Sequence, residues 1–552
     1  MTGVHFLRNL ILAAAAAALF ASQSAAIPPL PPPPPPQVSP RLLIVISVDQ
    51  FSADLWDEYR PQFTRGLARL ARGTAFRNGY QSHATTETCP GHSTILSGDR
   101  PARTGIISNG WANWDAPRAD KLIYCTEDER APGTDSDHYM LSAVHLRVPT
   151  LGDLLKQRSP ASRIVAVAGK DRSALLLSGK SADQRWFWGN KGFVTDLASA
   201  RPKSVSATNQ AIARMIAAPS AALAPPPYCA AKAQPIAIPD HAAVGAGTFA
   251  RGAGDGWAFR ASPEEDASVL ALSAALVQEL GLGKGSATDI LGVGLSATDY
   301  VGHKYGTGGQ EMCLQLLELD RDLGDFFDRL DSWAVDYAVV LTADHGGLDI
   351  PERLRLRGVP DAARIDPNLT PAAISEVVRK ETGLSGQILA DVGVTGDLYL
   401  DWHLKGADRA RALAAAIAAY KRHPQVFAAF SKEEIARTAM PVGDPTRWSV
   451  IERVRASFDP ERSGDLYVVL KPNITPIGHA AGSVATHGSP WDYDRRVPIL
   501  FWRPGMQASL RDDAIETVDI MPTLAAMIGV PVAAGSTDGH CLQGVDGVAC
   551  PR

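Results

Sequence analysis

An α/β fold, with a mainly parallel central sheet flanked by helices on both faces, is the class this sequence predicts. Three observations predict it. Apolar, β-branched runs such as LLIVISV, ILGVGLSAT and YAVVLTA alternate with stretches of helical periodicity. Acidic and histidine residues follow several of these runs directly, and strand ends in α/β sheets are where ligands gather. Two stretches break the alternation, so the sheet carries insertions, one of them large enough to form a cap subdomain.

The elements follow in order. Residues 1–26 read as a secretory signal peptide. Arg8 is its basic element, Leu10 to Phe20 form an apolar segment too short to span a bilayer, and ASQSAA permits cleavage after Ala26. Residues 27–40 are a proline-rich linker that cannot pack a core. The catalytic α/β domain begins at residue 41 and its first part runs to 350. Leu42 to Val48 is a strand, followed by a helical stretch, ADLWDEYRPQFTRGLARLAR. In GYQSHATTETCPGHSTILSG, Pro90 suits the first turn of a helix. Arg163 to Ala168 is a strand ending in GKDR. Residues from about 200 to 262, rich in Ala, Pro and Gly, read as an insertion. Pro263 to Leu282 and Gly309 to Leu330 are helices that lead to the strands before Asp299 and Asp344. Residues 351–480 read as an inserted cap or lid subdomain, with a helix near Ala407 to Lys421. Residues 481–552 return to the α/β domain, with a strand at Val497 to Trp502 and a closing helix at Thr517 to Ile528.

Bulk properties narrow the function. The net charge of −5 gives no reason to expect nucleic-acid binding. No segment after the leader is long and apolar enough to span a membrane. Six cysteines in an exported chain permit disulfides, and Cys541 with Cys550 is the best pair by proximity; no CxxC pair suggests a thiolate zinc site.

The candidate ligands are Asp49, Asp299, His303, Asp344, His345 and His487, all at presumed strand ends or in the loops after them. Carboxylate and imidazole suit Zn²⁺, and also Mn²⁺ or Co²⁺. Six such ligands exceed one tetrahedral ion and suit a two-metal site that clamps a phosphoryl group. Thr88, near a helix N-terminus, is the candidate nucleophile and further metal ligand, with Thr85 and Thr86 as neighbours of the same type. Thr88 could equally serve only as a helix cap, and GKDR only as a solvated turn.

Taken in order, SVDQ, TETCPGHSTILSG, NGW, GKDR, TDYVGHKYG, TADHGG and THGSPW resemble the alkaline phosphatase superfamily. The resemblance is to the threonine-nucleophile branch of periplasmic alkaline phosphatases, related to the nucleotide pyrophosphatase/phosphodiesterases. It implies an alkaline-phosphatase-like fold and two Zn²⁺ per chain. Asp49, Asp344 and His345 would hold one ion with Thr88, and Asp299, His303 and His487 the other. Asn109 would bind a phosphate oxygen, and Lys170 and Arg172 would contact the phosphate. The implied activity is hydrolysis of small phosphate monoesters through a phosphothreonine, in a periplasmic or secreted monomer, with side activity on diesters. Type I phosphodiesterase or nucleotide pyrophosphatase activity is the alternative. A sulfatase would need Cys or Ser opening a C/S-x-P-x-R motif, and here Cys89 is followed directly by Pro90. A non-catalytic phosphate or metal binder would need a decayed ligand set, and none of the expected ligands is missing.

Overall fold

The computed structural model describes residues 39–551 except residues 199, 240, 391 and 481. The leader at 1–26 and residues 27–38 of the linker lie outside the described residues. Among the described residues, no helix is long and apolar enough to cross a membrane.

The main sheet has nine strands among the described residues. Their order is Ser509–Glu516, Thr74–Tyr80, Arg496–Trp502, Tyr337–Thr342, Leu42–Val48, Asp289–Leu295, Ile164–Ala168, Gln184–Trp188 and Phe193–Val194. The five strands from Tyr337–Thr342 to Gln184–Trp188 are parallel, as the sequence predicts for the centre of the sheet. Arg496–Trp502 runs antiparallel to both its neighbours. An apolar run signals a strand but not its direction, so this reversal was not legible.

The central strand shows why both faces are covered. Leu42, Ile44, Ile46 and Val48 pack into one core with Val269, Leu272, Leu316 and Leu323. Leu43 and Val45 point the other way, into a second core with Leu96, Leu177 and Leu524. All six of these strand side chains are fully buried. A period of two places alternate residues on opposite faces, and both faces must then be apolar.

Some expected elements differ. The helical stretch at 53–72 is broken into Ala53–Tyr59, a 3-10 turn at Arg60–Gln62 and Gly66–Leu70. Pro61, with no N–H to donate, sits at the break. The closing helix shortens to Ile520–Met527 behind a 3-10 turn at Thr517–Asp519. The long helices occur close to their expected bounds, as Pro263–Leu280 and Gln310–Ser332.

Cys541 pairs with Cys550 as expected. Cys229 pairs with Cys313 and so fastens the Ala/Pro-rich stretch to the helix Gln310–Ser332. Cys89 pairs with Cys125. Beyond residue 362 the chain forms a separate three-stranded antiparallel sheet, Gly396–Leu398, Leu466–Leu470 and Val426–Ser431. The helices Pro371–Thr382 and Gly406–Arg422 cover it, and Ile374, Val378, Leu398, Ala412, Tyr420 and Val468 belong to a core of its own.

Candidate functional site

Four neighbouring parallel strands bring the chemistry to one edge. Taken across the sheet, Tyr337–Thr342 leads to Asp344, Leu42–Val48 to Asp49, Asp289–Leu295 to Asp299 and Ile164–Ala168 to Lys170. Asp299 lies in the first turn of the helix Ala297–Tyr305, and His303 lies one turn further along it. That i, i+4 spacing sets both on one face, with His303 Nε2 at 3.3 Å from Asp299 Oδ1.

The histidines are oriented from behind. His303 Nδ1 lies 2.9 Å from the Ala485 carbonyl, His345 Nδ1 2.9 Å from that of Gly346, and His487 Nδ1 2.8 Å from that of Thr86. A carbonyl can only accept, so each Nδ1 carries a proton and Nε2 is the nitrogen turned toward the site. Those Nε2 atoms face Asp299 (3.4 Å from His487) and Asp344 (3.3 Å from His345). Backbone carbonyls that fix the tautomer in this way are the usual support of metal-binding imidazoles. The His345 and His487 rings stack at 3.6 Å.

Two triplets bring one donor atom from each member within 4.8 Å of one another: Asp299, His345 and His487, and Asp49, His92 and Asp344. Asp49 Oδ1, His345 Nε2 and His92 Nε2 are buried without a hydrogen-bond partner. Buried, unpartnered donors of this kind are costly unless a cation meets them. Burial, then the neighbouring Asp344 charge, pushes the Asp49 carboxyl up. Burial would also raise Asp299, but Lys170 and His303 hold it well below the usual carboxylate range. Burial pulls His487 down to about 4, whereas the Asp344 carboxylate outweighs burial at His345 and lifts it to about 9. A crowded set of carboxylates and imidazoles therefore fits divalent cations, and a cation at His345 would displace the proton that Asp344 favours there.

Positive charge and a hydroxyl complete the edge. Lys170 Nζ lies 2.8 Å from Asp49 Oδ2 and 2.5 Å from Asp299 Oδ2. Burial opposes its charge, yet Asp299 and Asp49 raise its pKa above the ordinary lysine value. Thr88 opens the helix Thr88–Ile95, and Arg172 Nη2 lies 3.5 Å from its Oγ1. Asn109 Oδ1 accepts the Cys89 N–H at 2.8 Å, which leaves the Asn109 NH2 as a donor beside the same helix end. Arg172 is steadied by Tyr124, whose hydroxyl donates to Asp171 at 2.7 Å and lies 3.3 Å from Arg172 Nη1. A cavity of about 570 Å³ opens beside Asn109 and His487, walled by Trp111, Tyr124, Tyr399 and residues 392–397.

The structure thus gathers all of the sequence-derived candidates: Asp49, Thr88, Asn109, Lys170, Arg172, Asp299, His303, Asp344, His345 and His487. It differs in one grouping, because His345 faces both halves, next to Asp344 and against His487. Sequence reasoning missed His92, fully buried, with Nδ1 at 2.9 Å from the Thr88 carbonyl and 3.2 Å from Asp344 Oδ2. Its i+4 spacing from Thr88 was the available signal. It also assigned no role to Gln50, the last residue of SVDQ, or to Tyr124, which no motif marked.

Comparison with known proteins identifies the family. The family model for type I phosphodiesterase / nucleotide pyrophosphatase matches residues 43–490. The chain is 52% identical over 513 residues to the alkaline phosphatase PhoK of a Sphingomonas species, covering 92% of each. It is 44% identical to the alkaline phosphatase PhoD of Zymomonas mobilis subsp. mobilis, covering 93% of this chain and 89% of that one. Among solved structures, wild-type alkaline phosphatase PafA shares the fold, with a TM-score of 0.79 and 24% identity over 91% of this chain and 98% of that one. The chain belongs to the type I phosphodiesterase / nucleotide pyrophosphatase family, within the alkaline phosphatase superfamily.

Proposed function

We propose that this protein is an exported, zinc-dependent alkaline phosphatase that hydrolyses phosphate monoesters through a phosphothreonine at Thr88. The observation that carries the reading is the meeting of one hydroxyl, one guanidinium and a metal-type donor set at a single helix N-terminus: Arg172 Nη2 lies 3.5 Å from Thr88 Oγ1. Strong similarity to curated alkaline phosphatases along nearly the whole chain supports it.

In this reading Asp49, Asp344 and His345, with Thr88, would hold one zinc ion, and Asp299, His303 and His487 a second. When bound, the ions supply Lewis acidity that lowers the pKa of hydroxyl groups and offsets charge on phosphoryl oxygens. Thr88 Oγ attacks phosphorus in line with the leaving alcohol. Arg172, Lys170 and the Asn109 NH2 bind the non-bridging oxygens as charge redistributes among them. The alcohol departs into the cavity beside His487, and water then cleaves the phosphothreonine to restore Thr88. Three disulfides in the folded chain and a signal-like leader support export to the periplasm or beyond.

A phosphate monoester carries about two negative charges near neutrality and a diester one. Two cations at the phosphate therefore favour the monoester. The test is the ratio of kcat/KM for an aryl phosphate monoester and the matching diester. We expect the monoester to be strongly preferred, and Arg172→Ala to lower its rate by roughly 10–100-fold, the worth of a charged hydrogen bond, with a smaller loss on the diester. A wild-type preference for the diester would make the protein a phosphodiesterase.

A further inference from the structure

We propose that Gln50 is a positioning residue that ties the two halves of the metal centre together. The proposal rests on the two-ion reading above and adds to it a residue that no part of that reading uses. Gln50 follows Asp49 directly and is 1% exposed. Its backbone N–H donates to Asp344 Oδ1 at 3.2 Å. Its side-chain Nε2 donates to Asp299 Oδ1 at 3.2 Å. One residue thus holds a carboxylate of each half, from two different strand ends.

Three further observations show that the fold accommodates this geometry at a cost. Gln50 has φ of +63°, a left-handed conformation that a residue with a Cβ rarely adopts. Its Oε1 is buried without a hydrogen-bond partner. Glycines from two other segments clear the space for its amide. A Cβ at Gly302 would lie 1.5 Å from Gln50 Oε1, and one at Gly347 2.8 Å from Gln50 Cδ. Gly302 is in the helix that carries Asp299 and His303, and Gly347 lies three residues after Asp344. Strained backbone of this kind persists where surrounding structure enforces it, and it concentrates at functional sites.

The reason to hold Asp299 from the side is chemical. Asp299 Oδ1 is also the oxygen faced by His303 and His487, at 3.3 and 3.4 Å. A donor on that oxygen fixes the rotation of the carboxylate, with Oδ1 held toward the two imidazoles and Oδ2 toward the Lys170 ammonium at 2.5 Å. Partners behind ligating carboxylates typically change metal affinity by 10–100-fold. Removing the amide should therefore loosen the ion held by Asp299, His303 and His487. The ion held by Asp49, Asp344 and His345 should be spared, because any residue at position 50 except proline keeps the N–H to Asp344.

Two variants test this on the full mature chain: Gln50→Gly, which removes the amide and relaxes the backbone, and Gln50→Met, which keeps the bulk without the donor. Zinc per chain is measured by mass spectrometry against rising chelator, and thermal unfolding is followed on the metal-free forms. We expect wild-type protein to hold two ions. Both variants should release one of them at a chelator concentration at least tenfold lower, while the other ion follows the wild-type curve. Metal-free Gln50→Gly should unfold at the wild-type temperature or above it. Release curves that superpose on wild type in both variants would overturn the proposal. So would equal loosening of both ions, or a Gln50→Gly chain that unfolds well below wild type before any metal is added, since Gln50 would then serve packing. If the wild-type chain itself never holds a second ion, the two-ion reading fails, and the role of Gln50 with it.

Discussion

At the residue scale, the chemistry was legible wherever a side chain ends a strand. Asp49, Asp344 and Asp299 each follow an apolar run, so type and position pointed the same way. Lys170 and Arg172 needed the resemblance, because a Gly-Lys-Asp-Arg turn is ordinary in isolation. His92 and Gln50 were not legible, because their partners lie 252 and 294 residues away in Asp344. The test at this scale is Thr88→Ala. The substitution removes one hydroxyl from a helix start whose side chain caps nothing, so the fold should survive it. Turnover of an aryl phosphate should fall to the background of the assay, while the ion held by Asp299, His303 and His487 stays bound as in wild type. Near-normal turnover would move the nucleophile to another group, with Thr85 and Thr86 the nearest of the same type.

At the scale of elements, long periodic helices and buried strands were read close to their bounds, and short or partly exposed elements were not. Ser509–Glu516 illustrates the second class, since four of its eight residues are exposed and the run SLRDDAIE has no apolar pattern. The disulfide between Cys89 and Cys125 joins two such elements, the helix Thr88–Ile95 and the short strand Leu122–Tyr124. Two hydrogen bonds run beside it: Asn109 Oδ1 accepts from Cys89 N–H at 2.8 Å, and Asn109 O accepts from Cys125 N–H at 3.0 Å. The bridge therefore fixes Asn109 and Tyr124 relative to Thr88. Replacing both cysteines by alanine should cost about 4 kcal/mol of stability by loop-closure entropy, read as a shift in denaturant midpoint. It should also lower monoester kcat/KM at least tenfold with bound zinc unchanged, because none of the proposed ligands except Thr88 adjoins the bridge. A stable variant with wild-type kcat/KM would make the bridge a purely structural clasp.

At the scale of the whole molecule, the alternation of elements predicted the class of fold, but not the strand order. Leu42–Val48 lies between strands that begin at residues 289 and 337, and a sequence pattern holds no record of that pairing. The packing of these strands would make the proposed metal centre and the fold one cooperative object. Ligands drawn from separate strand ends mean that bound zinc should stabilise the whole domain, by about 2.7 kcal/mol per ion at a free concentration 100 times its Kd. Chelation should lower the thermal midpoint and abolish activity together, and added zinc should restore both. Imidazoles must be neutral to bind, so lowering the pH adds protons that compete with the metal and weaken it. His345, held up to about 9 by Asp344, gives up its proton to bind, so affinity of the ion it helps to hold should be at least tenfold higher at pH 8 than at pH 6; an affinity independent of pH in this range would exclude ligation by His345.

The proposed ligands begin at Asp49 and end at His487, and His487 Nδ1 rests on the carbonyl of Thr86, 401 residues earlier in the chain. This separation has a consequence in time. A ribosome must complete most of the polypeptide before the last imidazole exists, so a nascent chain carries Thr88 for most of its synthesis without a finished centre around it. A product of premature termination ahead of residue 487 would lack this proposed ligand. On this reading the centre can be completed only after about nine-tenths of the chain has been made.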